Sequence, residues 1–431
     1  MAETEVKPAN QSGVFLVTIL MFSAFGPYII KGVRTEQIAI YAAALLMLLR
    51  SLYSIRCSRA IYPIVCLWGV YLGVGLLGAL VPAVNESMYA RSSIVAGLDN
   101  LVLPIAVLVI VLALQTLGAE PLRLLRRIAL LTVSLMCLNT LAAIAQYRGV
   151  SWSQWWDGGN SVASTAKNAA QLGRFSGLIN QPAEAGILYG AALMCALYLW
   201  RRKPQRLLLA IAFIMVGGIM TVSKIFLLIA LPLAVLQIML SRERRNFYVL
   251  AVVGLITGLL VVIESGLAPA LSGLTQLQQV LPGSDGQSAI ATFTAGRYGS
   301  TSSLQSVVDA VTSGPVVFGF GLGGLQVPYD SGFVEALVMS GVLGVACYSL
   351  VLAAVYRQWR RAIVGPERTL LGFLLILLTL ASFGVPALTA NRVSSVIWLL
   401  LASLLLAVER CGSGTDHGPS AWGTCDVVVG R

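Results

Sequence analysis

Long apolar runs follow one another along the chain from residue 13 to residue 408, and most polar connections between them are short. A run of about 20 apolar residues is long enough to cross the hydrocarbon core of a bilayer as a helix. The pattern therefore predicts an all-α polytopic membrane protein with about 12 transmembrane helices. The predicted spans are 13–31, 37–50 (short), 61–84, 93–117, 125–147, 182–200, 206–222, 225–240, 247–264, 332–356, 368–388 and 393–408.

The seventh and eighth runs are separated only by Ser223 and Lys224, so one long bent segment is an alternative to two spans. We favour two spans, because a lysine at mid-membrane would be costly. The spans are predicted to form a single transmembrane domain over residues 1–408. The glycine-rich segment 409–431 is predicted to be a disordered cytoplasmic tail.

Composition and charge agree with lipid as the solvent of this chain. Hydrophobic residues make up 57% of the sequence and charged residues 11%, whereas roughly 25% of the residues in a soluble domain are charged. With both termini in the cytoplasm, 20 of the 29 Lys and Arg residues fall on the cytoplasmic side, as the positive-inside rule requires. The net charge of +11 therefore reflects membrane topology and does not indicate a nucleic-acid surface.

Several kinds of chemistry are excluded by the sequence motifs. No external connection holds a cysteine, and the single histidine, His417, lies in the tail. There is no P-loop, no Asp-x-Asp pair and no metal-ligand spacing, so we expect no cofactor, no metal and no nucleotide-linked donor.

The segment 319–324 matches the Gly-x-Gly-x-x-Gly pattern of dinucleotide-binding loops, but it has no strand–helix context, so we do not expect it to bind a dinucleotide. It favours a turn that either approaches a ligand or closes a loop onto the bundle. We expect no cleaved signal peptide, because the first apolar run begins the bundle.

Two predicted external loops, 148–181 and 265–331, are long. In the first, Trp152, Trp155 and Trp156 recur at helical spacing, which is typical of a segment in the membrane interface. In the second, an amphipathic stretch over 267–281 is followed by another at 304–311. Interfacial packing explains each segment singly, and together they suggest a lid over an external cavity. The late position of the larger loop, without an internal repeat, argues against a two-halves transporter.

Cations on the predicted external side run against the topological bias. They are Lys31, Arg34, Arg91, Arg148, Lys167, Arg174, Lys224, Arg297 and Arg392. Any one of them could snorkel to lipid headgroups. Arg174, Lys224 and Arg297 stand in the most informative contexts, and a cluster of cations at the outer mouth suits an anionic ligand such as a lipid diphosphate.

Four carboxylates are predicted to lie in or at the outer ends of spans, where such groups are usually functional. Asp330 precedes the tenth span with Glu335 just over one turn deeper, Glu184 opens the sixth span, and Asp99 lies about two turns into the fourth. Asp330 and Glu184 could instead complement helix N-termini. Asp99 could instead be paired structurally with an arginine.

Four short motifs occur in order between residues 170 and 350. They are an Arg-x-x-Gly…Asn-x-Pro stretch, a Ser-Arg-like pair that begins a span, a Gly-Arg pair before a glycine-rich turn, and a polar pair that leads into a Gly-x-x-Gly span. Here they are Arg174, Gly177, Asn180 and the displaced Pro182; Ser223-Lys224; Gly296-Arg297 with Pro315 to Gly324; and Asp330-Ser331 with Gly341 and Gly344. With this topology, the chain resembles the bacterial O-antigen ligase and Wzy-type polysaccharide polymerase superfamily.

The resemblance implies a metal-independent, GT-C-like glycosyltransferase at the periplasmic face of the bacterial inner membrane. It would transfer a growing glycan from undecaprenyl diphosphate to a lipid-linked repeat unit, with a chain-length co-polymerase as a further partner. Ligases of the superfamily have histidine where Asp330 stands here. The chain is therefore most similar to polymerases, in particular exopolysaccharide repeat-unit polymerases such as the xanthan-gum type.

The resemblance and the charge pattern together nominate the site residues. The catalytic candidates are Asp330, preferred as the base, with Glu184 and Glu335 in reserve. The substrate-binding candidates are Arg174, Lys224, Arg297, Asn180, Tyr298, Tyr329, Asp99, Arg91 and Arg392. An O-antigen ligase, a lipid-linked oligosaccharide flippase or transporter, and a non-catalytic assembly scaffold remain the alternatives.

Overall fold

The computed structural model describes residues 11–30, 32–51, 58–80, 94–156, 164–240, 303–325 and 329–413. These residues are mostly helical. The helices are α1 (Gln11–Ala24), α2 (Thr35–Ser51), α3 (Tyr62–Gly78), α4 (Ile94–Thr116), α5 (Pro121–Tyr147), α6 (Ser153–Trp156), α7 (Thr165–Gln171), α8 (Pro182–Leu199), α9 (Pro204–Met220), a π-helical turn (Ile225–Ala230) continued by α10 (Leu231–Leu240), α11 (Ser303–Ser313), α12 (Gly332–Arg361), α13 (Pro366–Ala381) and α14 (Asn391–Ser413).

Five of the described helices are long and apolar enough to cross a membrane, namely α4, α5, α8, α12 and α14. Four shorter apolar helices accompany them: α1, α3, α9 and the unit 225–240. Eleven of the predicted spans contain a helix, and the remaining one, 247–264, lies outside the described residues. The chain is therefore an all-α membrane protein, as its apolar runs predict.

Two predicted spans end earlier than the apolar pattern suggested. The run 13–31 is helical only to Ala24, and the chain then forms a short antiparallel hairpin of β1 (Tyr28–Ile30) and β2 (Val33–Arg34). Gly26 and Pro27 stop the helix, and Gly32 has the positive φ of +83° that the turn requires. The run 368–388 ends at Ala381 for a similar reason, with Gly384 and Pro386 following. At the other end, α14 continues to Ser413 and enters the predicted tail.

The seventh and eighth apolar runs are separate helices, as predicted. The chain leaves α9 through Thr221 and Val222, and Val222 has the positive φ of +46°. Phe226 then packs against Gly218, where no side chain would fit. Two residues eight positions apart would be about 12 Å apart in a continuous helix, so this contact requires the chain to fold back.

The centre of the bundle is formed by α8 and α14, which are buried over most of their length, whereas α4 and α12 are about half buried. Trp68, Tyr71, Tyr348 and Trp398 pack in the interior with ring centroids 5.1 to 6.4 Å apart. Large apolar side chains such as Leu45 remain exposed on the outer helices, as expected where lipid replaces water as the neighbour.

Helix α12 is kinked at Ser340 and Gly341, and the glycine-rich turn packs into the kink. The amide N–H of Val342 donates to Val316 O (2.9 Å) and that of Phe320 donates to Val338 O (2.7 Å). Of the two alternatives for this turn, the structure therefore supports closure of the loop onto the bundle. The preceding amphipathic segment 304–311 is helix α11, with Val307 and Val311 buried. The stretch 267–281 lies outside the described residues.

Candidate functional site

Polar side chains from distant parts of the sequence meet at one end of the bundle. This end is formed by the hairpin, the first turns of α2, α4, α8, α12 and α14, and the last turns of α5 and α9. Contacts between Arg34 and Asp99, and between Asn100 and Glu335, join these ends. Many of the basic residues predicted to be cytoplasmic lie at the opposite end, where Tyr198 donates to Glu367 (2.9 Å).

The irregular segment 174–181, which carries the Arg-x-x-Gly…Asn motif, is held by buried side chains. The amide N–H of Gly177 donates to Gln146 Oε1 (2.9 Å), and the carbonyl of Gly177 accepts from Trp156 Nε1 (2.9 Å). The amide N–H of Leu178 donates to Asn139 Oδ1 (2.9 Å). Backbone away from water must find such partners. The segment is therefore positioned before any ligand arrives.

Gly177 is required by the geometry of this segment. Its φ is +66°, and an added Cβ would lie 2.6 Å from Asn139 Oδ1. We expect Gly177→Ala to lower the free energy of unfolding by about 1–3 kcal/mol, because the backbone would be strained and the Asn139 side chain that holds the segment would be displaced. Gly149→Ala is the matched control, since Gly149 also has a positive φ (+95°) but open space around it. Thermal unfolding in detergent compares the stabilities of the two variants. Equal losses of stability would show that the close contact with Asn139 makes no contribution beyond the positive φ.

Arg174 lies beside the loop that precedes the π-helical turn. Its Nε donates to Thr221 O at 3.3 Å, and the neighbouring Phe175 N–H donates to Met220 O at 2.8 Å. Ser223 packs against Gly186 of α8, two residues beyond Glu184. The structure therefore brings the Arg174 motif, the Ser223-Lys224 pair and the start of α8 together. Asn180 contributes locally, accepting from Ala166 N at 3.3 Å.

A buried ionic network lies next to this segment. Arg34 forms ion pairs with Glu36 (3.1 Å) and Asp99 (3.0 Å), and all three lie close to the hairpin. Asp99 also accepts from Gln37 Nε2 and Tyr41 OH, each at 2.6 Å. Burial lowers the pKa of Arg34, but Glu36 and Asp99 together raise it above its ordinary value. Arg34 is therefore charged, and the structural pairing of Asp99 with an arginine is confirmed.

Arg392 connects this network to the motif segment. Its Nη1 donates to Leu178 O (2.9 Å), its Nε lies 4.0 Å from Glu36 Oε1, and its guanidinium stands over the ring of Tyr28 at 5.5 Å. Burial raises the pKa of Tyr28, so its hydroxyl is neutral at pH 7. Arg392 is itself only 4% exposed. Arg392 therefore holds the segment that carries Arg174 from its buried side, through the hydrogen bond to Leu178 O.

Two of the predicted catalytic carboxylates are buried near the network. Glu335 is 1% exposed and accepts from Asn100 Nδ2 at 3.4 Å. Glu184 is 3% exposed, lies in the first turn of α8, and acts electrostatically on Arg34, Arg392 and Glu335. Its place also suits the helix dipole, so both readings of Glu184 stand.

Asp330 lies at the entrance to α12 and is partly exposed. The N-cap of this helix is Ser331, whose hydroxyl accepts from Val334 N at 3.4 Å. Asp330 is therefore not the residue that caps α12. Tyr329 is buried and donates to Gly324 O at 3.1 Å, so it fastens the glycine-rich turn.

Three nominated residues, Arg91, Arg297 and Tyr298, lie outside the described residues. Sequence reasoning missed Glu36, Asn139 and Gln146. Glu36 had a signal, since it is an acid directly before the predicted span 37–50, but the two amides had none. Within the described ranges, no group of three metal-ligating side chains occurs.

No protein-family model matches the chain, and no curated protein matches it.

Proposed function

We propose that this protein is a polysaccharide polymerase, a metal-independent glycosyltransferase that uses a polyprenyl-diphosphate-linked glycan as donor. One observation carries the proposal. Arg174 contacts Thr221, which lies 47 residues later in the sequence and just before the Ser223-Lys224 pair. Two motifs of the resemblance therefore meet at the start of α8, where Ser223 packs against Gly186. A pair of cations at such a place suits the two phosphates of an undecaprenyl diphosphate.

In the proposed reaction, the bond between the anomeric carbon and the diphosphate oxygen breaks, and its electron pair remains on the diphosphate. Arg174, Lys224 and Arg297 stabilise the charge that develops there. The acceptor hydroxyl of the next lipid-linked repeat unit forms the new bond to the anomeric carbon and loses its proton to a carboxylate. Asp330 is the preferred base, because it is more exposed than Glu184 or Glu335.

The proposed topology places this end of the bundle on the periplasmic side of a bacterial inner membrane. The fold would have twelve spans in a GT-C-like arrangement with both termini cytoplasmic. The positive-inside bias supports this orientation, since basic clusters such as Arg201 and Arg202 belong to the opposite end. The donor lipid would lie in the bilayer beside the bundle, and a chain-length co-polymerase is a proposed partner.

Two alternatives are weaker. An O-antigen ligase would use a histidine where this chain has Asp330. A flippase or transporter would need charges along a path through the membrane. The buried charges Arg34, Glu36, Glu335 and Arg392, with the partly buried Asp99, instead gather at one end of the described bundle.

The test is where lipid-linked repeat units accumulate in a strain that lacks this chain. We expect single repeats in the outer leaflet and no polymer, and complementation with Arg174→Ala or Arg297→Ala should leave the same phenotype at normal expression. Asp309→Asn, a change of an exposed acid on α11, should restore polymer. Accumulation in the inner leaflet would indicate a flippase instead, and normal polymer length in both arginine variants would contradict the assignment.

A further inference from the structure

A cavity of about 290 Å³ lies between the end of α5 and the short helices α6 and α7. Its polar lining consists of Gln146, Ser151, Ser153, Ser164 and Lys167, with Trp156 as the aromatic wall. Gln146 and Trp156 are buried, whereas Ser151 and Lys167 are exposed. The cavity therefore runs from a buried floor to an open rim.

The floor of the cavity is built before any ligand binds. Gln146 is 5% exposed, and its Oε1 accepts from Gly177 N, while its Nε2 has no hydrogen-bond partner among the described residues. A buried amide donor without a partner is costly and is normally satisfied by water or a ligand. The indole of Trp156 is fixed by its bond to Gly177 O. Gln146 and Trp156 therefore also hold the segment that carries Arg174.

The size and chemistry of the cavity suit one sugar ring. Its volume is far above the roughly 30 Å³ of a single water and close to the lower limit of about 300 Å³ for small-molecule pockets. Serine hydroxyls, an amide and an indole together can bind a ring that has hydroxyls on its rim and C–H groups on its faces. The ammonium of Lys167 at the rim would favour a sugar that bears a carboxylate.

We propose that this cavity is a glycan subsite that binds one pyranose unit of the polymer, with preference for an acidic sugar. The proposal rests on the proposed function, because it assigns the ligand to the glycan that the enzyme would extend. Gln146 and Trp156 line the cavity and also hydrogen-bond to Gly177, so a sugar bound in the cavity would restrict the position of Gly177. A sugar in the subsite would therefore stabilise the segment that positions Arg174.

Binding can be measured on the full chain in detergent by saturation-transfer NMR, with methyl glucopyranoside and methyl glucuronide as probes. Ser153→Trp fills the cavity from a partly exposed position and should abolish the signals of both sugars. Asn168→Trp is the matched control, because Asn168 is exposed on α7 and does not line the cavity. Lys167→Ala should weaken glucuronide binding by about tenfold, the loss of one charge-assisted hydrogen bond, and leave the glucoside unchanged.

Several outcomes would overturn the subsite. They are no signal from the wild-type chain, an undiminished signal from Ser153→Trp, a loss in Asn168→Trp as large as that in Ser153→Trp, or equal effects of Lys167→Ala on both sugars. Arg174→Ala separates this proposal from the proposed function, because it should abolish polymer while both sugars still bind. Normal polymer in both Arg174→Ala and Arg297→Ala would contradict the polymerase assignment, whereas the NMR signals alone decide the subsite.

Discussion

Replacement of Glu36 by alanine is expected to destabilise the folded chain by about 3–5 kcal/mol, because breaking a buried ion pair leaves an uncompensated charge. Glu36 is fully buried and is the carboxylate shared by Arg34 (3.1 Å) and Arg392 (4.0 Å). Arg34 keeps its ion pair with Asp99 in this variant, so most of the loss should arise at Arg392. The midpoint of unfolding in mixed detergent measures the effect.

Glu120→Ala is the control for this prediction, since Glu120 forms an exposed ion pair with Arg123 at 2.6 Å. Exposed pairs contribute about 0–1 kcal/mol, so the control should unfold almost as the wild-type chain does. The double variant Glu36→Leu/Arg392→Met should recover part of the loss, because no buried charge is then left without its partner, whereas the hydrogen bond from Arg392 to Leu178 O is lost in it. Equal stability of Glu36→Ala and Glu120→Ala would show that the network does not stabilise the fold.

Asp330→Asn is expected to slow glycosyl transfer by about 10²–10⁴-fold, the usual contribution of a general base. The amide keeps the shape of the side chain but cannot accept the proton of the acceptor hydroxyl. Asp330 is partly exposed at the entrance to α12, whereas Glu184 and Glu335 are buried. A single-round assay with a synthetic lipid-diphosphate donor and acceptor measures the rate directly.

The comparison variants for the base are Glu184→Gln, Glu335→Gln and Asp309→Asn. Asp309 is an exposed acid on α11, so its variant should transfer at the wild-type rate. If Asp330→Asn were as fast as Asp309→Asn while Glu335→Gln were inactive, the role of base would pass to Glu335. If all three carboxylate variants lost activity, the affinity for the donor would be measured separately from the rate of transfer. A reduced affinity in Asp330→Asn with an unchanged rate would contradict the role of Asp330 as the base.

Apolar run length predicted all the described helices except α6, α7 and α11, because a bilayer admits few backbone forms other than a helix of that length. It failed at 13–31, since hydropathy alone does not register the stop made by Gly26 and Pro27 before the hairpin. It also gave no sign of the kink at Gly341. That kink depends on the insertion of the turn 315–324, which is a contact between segments.

The site was predictable as a set of residue types and much less as an arrangement. Charge counting nominated Arg174, Arg392 and Asp99, because cations and acids at a span's end are costly unless they have a use or a partner. It could not show that the carboxylate of Asp99 accepts hydrogen bonds from Arg34, Gln37 and Tyr41.

By itself, the sequence determined that this is a helical membrane protein, along with most of its helix positions and the polar residues at the helix ends. Those properties follow from local hydropathy and charge. Only the tertiary structure decided which of these residues meet, how Gln146, Asn139 and Arg392 hold the segment around Gly177, and where the cavity beside Trp156 lies. Such contacts join residues that are distant in sequence, and the packing of whole helices determines them.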